Sequence, residues 1–151
     1  MWCHYADRHQ GVVLEFRCAD ELDSAWLAAK PVSYPQVKPA VYTADGWAEL
    51  ISLRRELSIQ AMLDLATYTK SSDWAYEREW RIATFKRPTE SGNFTDYGFS
   101  KHELGAIYLG PMVDPEERRK LIAAAATYPA ARLVDTQIGP SREFLFSPVP
   151  R

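Results

Sequence analysis

The chain has 151 residues, 46% of them hydrophobic and 25% charged, the size and make-up of one soluble globular domain able to bury its own core. The 13% aromatic content excludes a disordered tail. A net charge of -2, from 18 Lys plus Arg against 20 Asp plus Glu, leaves no overall field to draw the chain onto nucleic acid or an anionic membrane.

Gly11–Arg17 is β-branched and alternates, with Val12, Leu14 and Phe16 on one face and Val13, Glu15 and Arg17 on the other, which predicts a strand. Residues 20–29 predict a short helix that ends before Pro31, since a residue preceding proline is pushed out of the α region. Lys38–Thr43 predicts a second extended stretch. The longest helical pattern runs from Gly46 to Tyr68, with Leu50, Leu53, Leu57, Ala61, Leu65 and Tyr68 at spacings of three and four and a possible break near Ser58.

Ser71-Ser72-Asp73 reads as a turn. Tyr76–Phe85 then alternates as a strand, Arg78, Trp80 and Ile82 pointing one way and Glu77, Glu79, Arg81 and Ala83 the other. Residues 87–100, with Pro88, Gly92, Asn93 and Gly98, read as an exposed hairpin or irregular loop. Leu104–Leu109 predicts an apolar strand ending in Gly110-Pro111. A helix is expected over 115–127, opened by Pro115 and two glutamates that suit the positive end of its dipole. Residues 132–138 and 143–146 predict two final strands. This order of elements, without an internal repeat, predicts an α+β fold with a mixed or mainly antiparallel sheet, one long helix and two shorter ones.

No apolar run approaches the roughly 18 residues that span a bilayer, and the first residues lack the pattern of a signal peptide. Cys3 and Cys18 stand in no zinc-binding spacing. The expected setting is the cytoplasm, with reduced thiols, no membrane association and no basic track for nucleic acid.

Two stretches concentrate chemistry. His4-Tyr5-Ala6-Asp7-Arg8-His9-Gln10-Gly11 gathers two of the three histidines and an aspartate, but its spacing matches no standard metal set and favours a tight turn into the strand at Gly11. Asp73–Ile82 places Glu77 and Glu79 two residues apart on one strand face, about 7 Å from each other, where two carboxylates can divide labour in a cleft. The alternative is a charge ladder in which Glu79 and Arg81 pair with neighbouring strands. Trp74, Tyr76 and Trp80 are expected to pack in the core.

The blocks Trp2-x-His4-Tyr5-Ala6-Asp7-x-His9-x-Gly11, Trp74-x-Tyr76-Glu77-x-Glu79-Trp80-Arg81 and Ile107-Tyr108-Leu109-Gly110, in this order, resemble the bacterial domain-of-unknown-function family numbered 2971. Members of that family usually carry a further N-terminal portion with an Asn-Asp-Pro-aromatic motif after a strand, a motif that does not occur in this sequence. The resemblance therefore implies that residues 1–151 are a single domain forming the C-terminal part of a longer one, its missing half absent or supplied by a partner chain. It also implies a bacterial cytosolic protein, with some relatives resembling abortive-infection proteins of phage defence.

A second resemblance is to ADP-ribosyltransferases, whose catalytic strand carries Gln/Glu-x-Glu, the form of Glu77-Arg78-Glu79. It implies NAD as cofactor, with Glu79 holding the nicotinamide ribose hydroxyl and stabilising an oxocarbenium-like transition state. Glu77 would position the acceptor, and His4, Tyr5 and Arg81 would contact the cofactor. Two other functions stand beside transfer: a non-catalytic binding or regulatory module, and metal-assisted hydrolysis using His4, Asp7, His9 and Glu79.

Overall fold

Strand alternation and one crossover helix build the first of two compact units, residues 1–27 with 94–151; residues 28–93 form the second. A computed structural model describes residues 2–37, 39, 43–52, 59–84, 89–92 and 95–150.

In the first unit β1 (Val12–Phe16) pairs antiparallel with β4 (Leu104–Leu109). β4 pairs parallel with β5 (Arg132–Ile138), and β5 antiparallel with β6 (Phe144–Pro148). The result is a mixed four-stranded sheet in the order β1-β4-β5-β6, within an α+β fold. A parallel pair needs a crossover, and α4 (Pro115–Ala125) supplies it. Asp114 caps α4: its Oδ1 accepts the N–H of Glu116 at 2.8 Å and of Glu117 at 3.3 Å, and Pro115 sits where a missing N–H costs nothing.

The register gives the sheet two unlike faces. Val12 and Phe16 join Leu104, Ile107, Leu109 and Leu133 on the face that packs against Leu121, Ile122 and Ala125 of α4. Arg118 of α4 forks onto Asp135 of the same face, at 2.5 and 3.0 Å. The opposite face carries Val13, Glu15, Tyr108, Arg132, Val134, Thr136, Phe144 and Phe146, by alternation along the same strands.

The segment before β1 is the expected turn, preceded by a single helical turn, α1 (Trp2–Tyr5). Asp7, Arg8 and His9 all take positive φ (43, 51 and 73°), and the Gly11 N–H donates to Ala6 O at 2.8 Å. Gly110 lies so close to this turn that a Cβ there would stand 2.3 Å from His9 O and 2.6 Å from Gly11 O. Residues 20–29 are two short 3₁₀ turns, Asp20–Leu22 and Ala25–Ala28, instead of the predicted helix. Asp23 breaks them apart at φ 47°, and the Ser24 hydroxyl is drawn inward to donate to Glu103 Oε1 at 2.5 Å.

In the second unit β2 (Lys30–Pro31) pairs antiparallel with β3 (Trp80–Arg81). The helix predicted over 46–68 is present as α2 (Ala44–Ile51) and α3 (Ile59–Tyr68). The expected break at Ser58 lies outside the described residues, as does most of the predicted strand at 38–43. Among the described residues of the strand predicted over 76–85, only β3 is strand, because Ser72–Glu77 winds into a 3₁₀ helix and Arg78 turns the chain at φ 48°, ψ 46°. Among the described residues, 89–92 and 95–100 carry no helix or strand, and no helix is long and apolar enough to cross a membrane.

The Gly110 contact is open to test by urea unfolding. Gly110→Ala must displace backbone and is expected to cost about 1–3 kcal/mol. Gly98→Ala, whose Cβ would meet nothing within 4 Å, is expected to change stability by less than about 0.5 kcal/mol. Equal effects from the two would contradict the close approach.

Candidate functional site

Three short segments of the second unit interlock around Val32, which is buried. Val32 N–H donates to Glu79 O at 2.9 Å, Ser33 N–H to Tyr68 O at 2.7 Å, and Lys70 N–H to Ser33 O at 3.0 Å. The Tyr34 hydroxyl accepts the Glu79 N–H at 2.9 Å. Residues 32–34 thereby fix both the end of α3 and the start of β3, and bring Lys70 beside Glu77, Glu79 and Arg81.

The 3₁₀ geometry explains how Glu77 arrives. With three residues per turn, Trp74 and Glu77 eclipse on one face. Both meet Lys70: its Nζ lies 4.7 Å from the Trp74 ring centroid and 2.5 Å from Glu77 Oε2. The Glu77 side chain is only 7% exposed, so this ammonium is its compensation for leaving water. Beyond the Arg78 turn, Glu79 presents both oxygens to Arg81, Oε1 to Nε at 2.6 Å and Oε2 to an Nη at 3.0 Å, while Lys70 Nζ approaches Oε2 at 3.4 Å. Arg81 also donates to Thr67 O at 2.6 Å, where the carbonyls closing α3 lack intrahelical partners.

The sequence expectation of two carboxylates on one strand face is therefore corrected in its geometry. Glu77 sits on a 3₁₀ helix and Glu79 just before a two-residue strand, and the two converge through Lys70 instead of through strand alternation. Lys70, Tyr34 and Thr67 carried no sequence signal beyond the need of two clustered glutamates for cations. Trp74, Tyr76 and Trp80, expected in the core, are 37, 63 and 64% exposed; the Trp74 and Tyr76 rings lie 6.0 Å apart.

A cleft of about 400 Å³ opens beside the network, bounded by Pro35, Pro39, Thr69, Lys70, Ser71 and Ser72. Of the four charged side chains only Lys70 lines it. His4 and Tyr5 belong to the first unit, on α1, where both are exposed and their rings meet edge to face at 6.5 Å. Among the described residues no group of three or more His, Cys, Asp and Glu side chains is placed to hold a metal ion.

Arg81, and after it Lys70, holds the Glu79 carboxyl below the ordinary glutamate value of 4.5. A carboxyl whose pKa is lower folded than unfolded adds stability that is complete above its unfolded value and is lost as pH falls through its folded value. Glu79→Gln is expected to cost about 1–2 kcal/mol at pH 7, between the worth of exposed and buried pairs. The gap from wild type should close as the pH is taken below 4.5. Urea unfolding at a series of pH values checks this; a gap that stays constant with pH would contradict it.

A family model described as "Protein of unknown function (DUF2971)" matches residues 1–82. The match spans more than half of the chain and takes in both the His4–Gly11 and the Trp74–Arg81 blocks, while Ile107–Gly110 lies beyond it. No curated protein and no solved structure matches the chain. By its first 82 residues, from the turn at His4 to the Lys70 network, the chain belongs to the DUF2971 family of proteins of unknown function.

Proposed function

We propose that the chain is a binding or regulatory module in which Lys70, Glu77, Glu79 and Arg81 form a structural charge network. The observation that carries this is the commitment of Glu79: both of its oxygens face Arg81, and Lys70 takes a further share of one of them. A glutamate that captures a ribose hydroxyl must turn an acceptor lone pair toward a cleft wall. Glu77, Glu79 and Arg81 are absent from the wall of the cleft beside them. What the network presents outward is aromatic: Trp74, Tyr76 and Trp80 are large exposed rings of the kind that anchor protein partners. A place in the bacterial cytoplasm and in phage defence is part of this proposal and rests on the family resemblance.

NAD-dependent ADP-ribosyl transfer is the second reading, supported by the convergence of both carboxylates of Glu77-Arg78-Glu79 on one ammonium. In it Glu79 is the catalytic carboxylate, Glu77 positions the acceptor, and Arg81 contacts NAD. It requires the Arg81 fork to open when the cofactor binds.

The two separate in one experiment, a titration with NAD followed by melting temperature and nicotinamide release, for wild type and Glu79→Gln. The module predicts no nicotinamide from either protein and a melting temperature lower by about 2–8 °C in the variant. Release by the wild type that disappears in a variant of unchanged melting temperature would overturn the module and establish the transferase.

A further inference from the structure

The face of the four-stranded sheet that α4 leaves uncovered holds a cleft of about 400 Å³ lined by Trp2, Val13, Tyr108, Arg132, Val134 and Phe146. That volume falls within the range of small-molecule sites. Three of the six walls are aromatic, and the Tyr108 and Phe146 rings meet nearly edge to face, centroids 5.7 Å apart at 77°. Phe144, next but one along β6, lies 6.1 Å from the Trp2 ring and extends the aromatic wall. Such walls suit a flat ring, which can stack or meet them edge on.

One wall is charged, and its state is defined by two neighbours. Glu15 accepts the Tyr108 hydroxyl at 2.5 Å and one Nη of Arg132 at 3.1 and 3.2 Å. Among the described residues Arg132 bonds Glu15 through that nitrogen alone, leaving its Nε and its other Nη without a hydrogen bond, and its side chain is 63% exposed. Arg17 adds a weaker attraction to the Glu15 charge, so Glu15, Arg17 and Arg132 together carry a net positive charge. Gly105 makes room for it, since a Cβ there would meet Glu15 Oε1 at 3.1 Å and Arg17 at 3.3 Å. An arginine pinned by one nitrogen keeps the others in a fixed plane, the arrangement that takes a carboxylate or phosphate in a fork. On the same face, opposite Phe146 in the ladder, the Thr136 hydroxyl is buried and has no partner among the described residues.

We propose that this cleft binds a small molecule made of a planar aromatic ring bearing one anionic group, the ring against Tyr108, Phe146 and Trp2 and the anion on the unused donors of Arg132. The proposal concerns the first unit alone and stands or falls separately from the function given to the Lys70 network. A carboxylate and a phosphate share the chemistry it requires.

The full chain is titrated calorimetrically with indole-3-acetate and with adenosine monophosphate, each beside its uncharged counterpart, indole-3-acetamide and adenosine. Saturable binding of at least one anionic compound is expected, about tenfold or more stronger than that of its neutral counterpart. Binding of the indole acid alone identifies a carboxylate site, and of the nucleotide alone a phosphate site. Arg132→Met, at an exposed position that should leave melting unchanged, is expected to remove the preference for the anion. Phe146→Ala should weaken the charged and neutral forms alike. Failure of both anionic compounds to bind, or binding that survives both substitutions, would overturn the proposal.

Discussion

The ammonium of Lys70 is the point on which the second unit turns. It lies at the junction of α3, the 3₁₀ helix and the approach to β3, and satisfies a carboxylate that is nearly out of water. A buried charge left alone costs several kcal/mol, so Glu77 and Lys70 must be placed together. Placing them fixes the 3₁₀ turn that also sets Trp74 over the lysine. The same demand reaches Glu79 and Arg81, whose fork completes a balanced set of two cations and two anions. Since Arg81 also caps Thr67 O, the network joins the end of a helix to the strand it precedes.

The first unit solves the same problem with apolar surface. β4 lies between two partner strands, and its residues facing α4, Leu104, Ile107 and Leu109, are almost wholly withdrawn from water. One helix covers one face, and the Arg118–Asp135 fork sets it there. Among the described residues the other face carries Trp2 of α1 beside its own aromatic and charged side chains, and the Glu15–Tyr108–Arg132 cluster lies at a cleft there. The main apolar cluster lies on one side of the sheet, and the other side, although Ala106, Val134 and Thr136 on it are buried, opens a cleft.

The parts of the fold governed by local pattern were legible in the sequence. β1, β4, β5 and α4 stand where apolar alternation, a helix-opening proline and the glutamates that follow it put them, and the two faces of β1 were assigned correctly. The misplaced parts are those where a long-range partner overrides local preference. Tyr76–Glu79 alternates like a strand, yet the eclipsing of Trp74 with Glu77 against Lys70 favours three residues per turn. Residues 20–29 have helical spacing, but Glu103, far along the chain, draws Ser24 inside and Asp23 breaks the helix. The glutamates of the candidate site could be read because their spacing is local. Lys70, Tyr34 and Thr67 could not, since nothing in their neighbourhood announces which backbone they will meet. The exposure of Trp74, Tyr76 and Trp80 was hidden for the same reason, as composition favours burial of aromatic rings and only topology decides it.

The central claim is that Glu79 serves the fold through Arg81. A double-mutant cycle of Glu79→Gln and Arg81→Met, read as unfolding free energy at pH 7, tests it most directly. Two groups joined by a fork should show a coupling of about 1 kcal/mol or more. Costs that simply add, to within about 0.5 kcal/mol, would contradict the claim and return Glu79 to a role outside the fold.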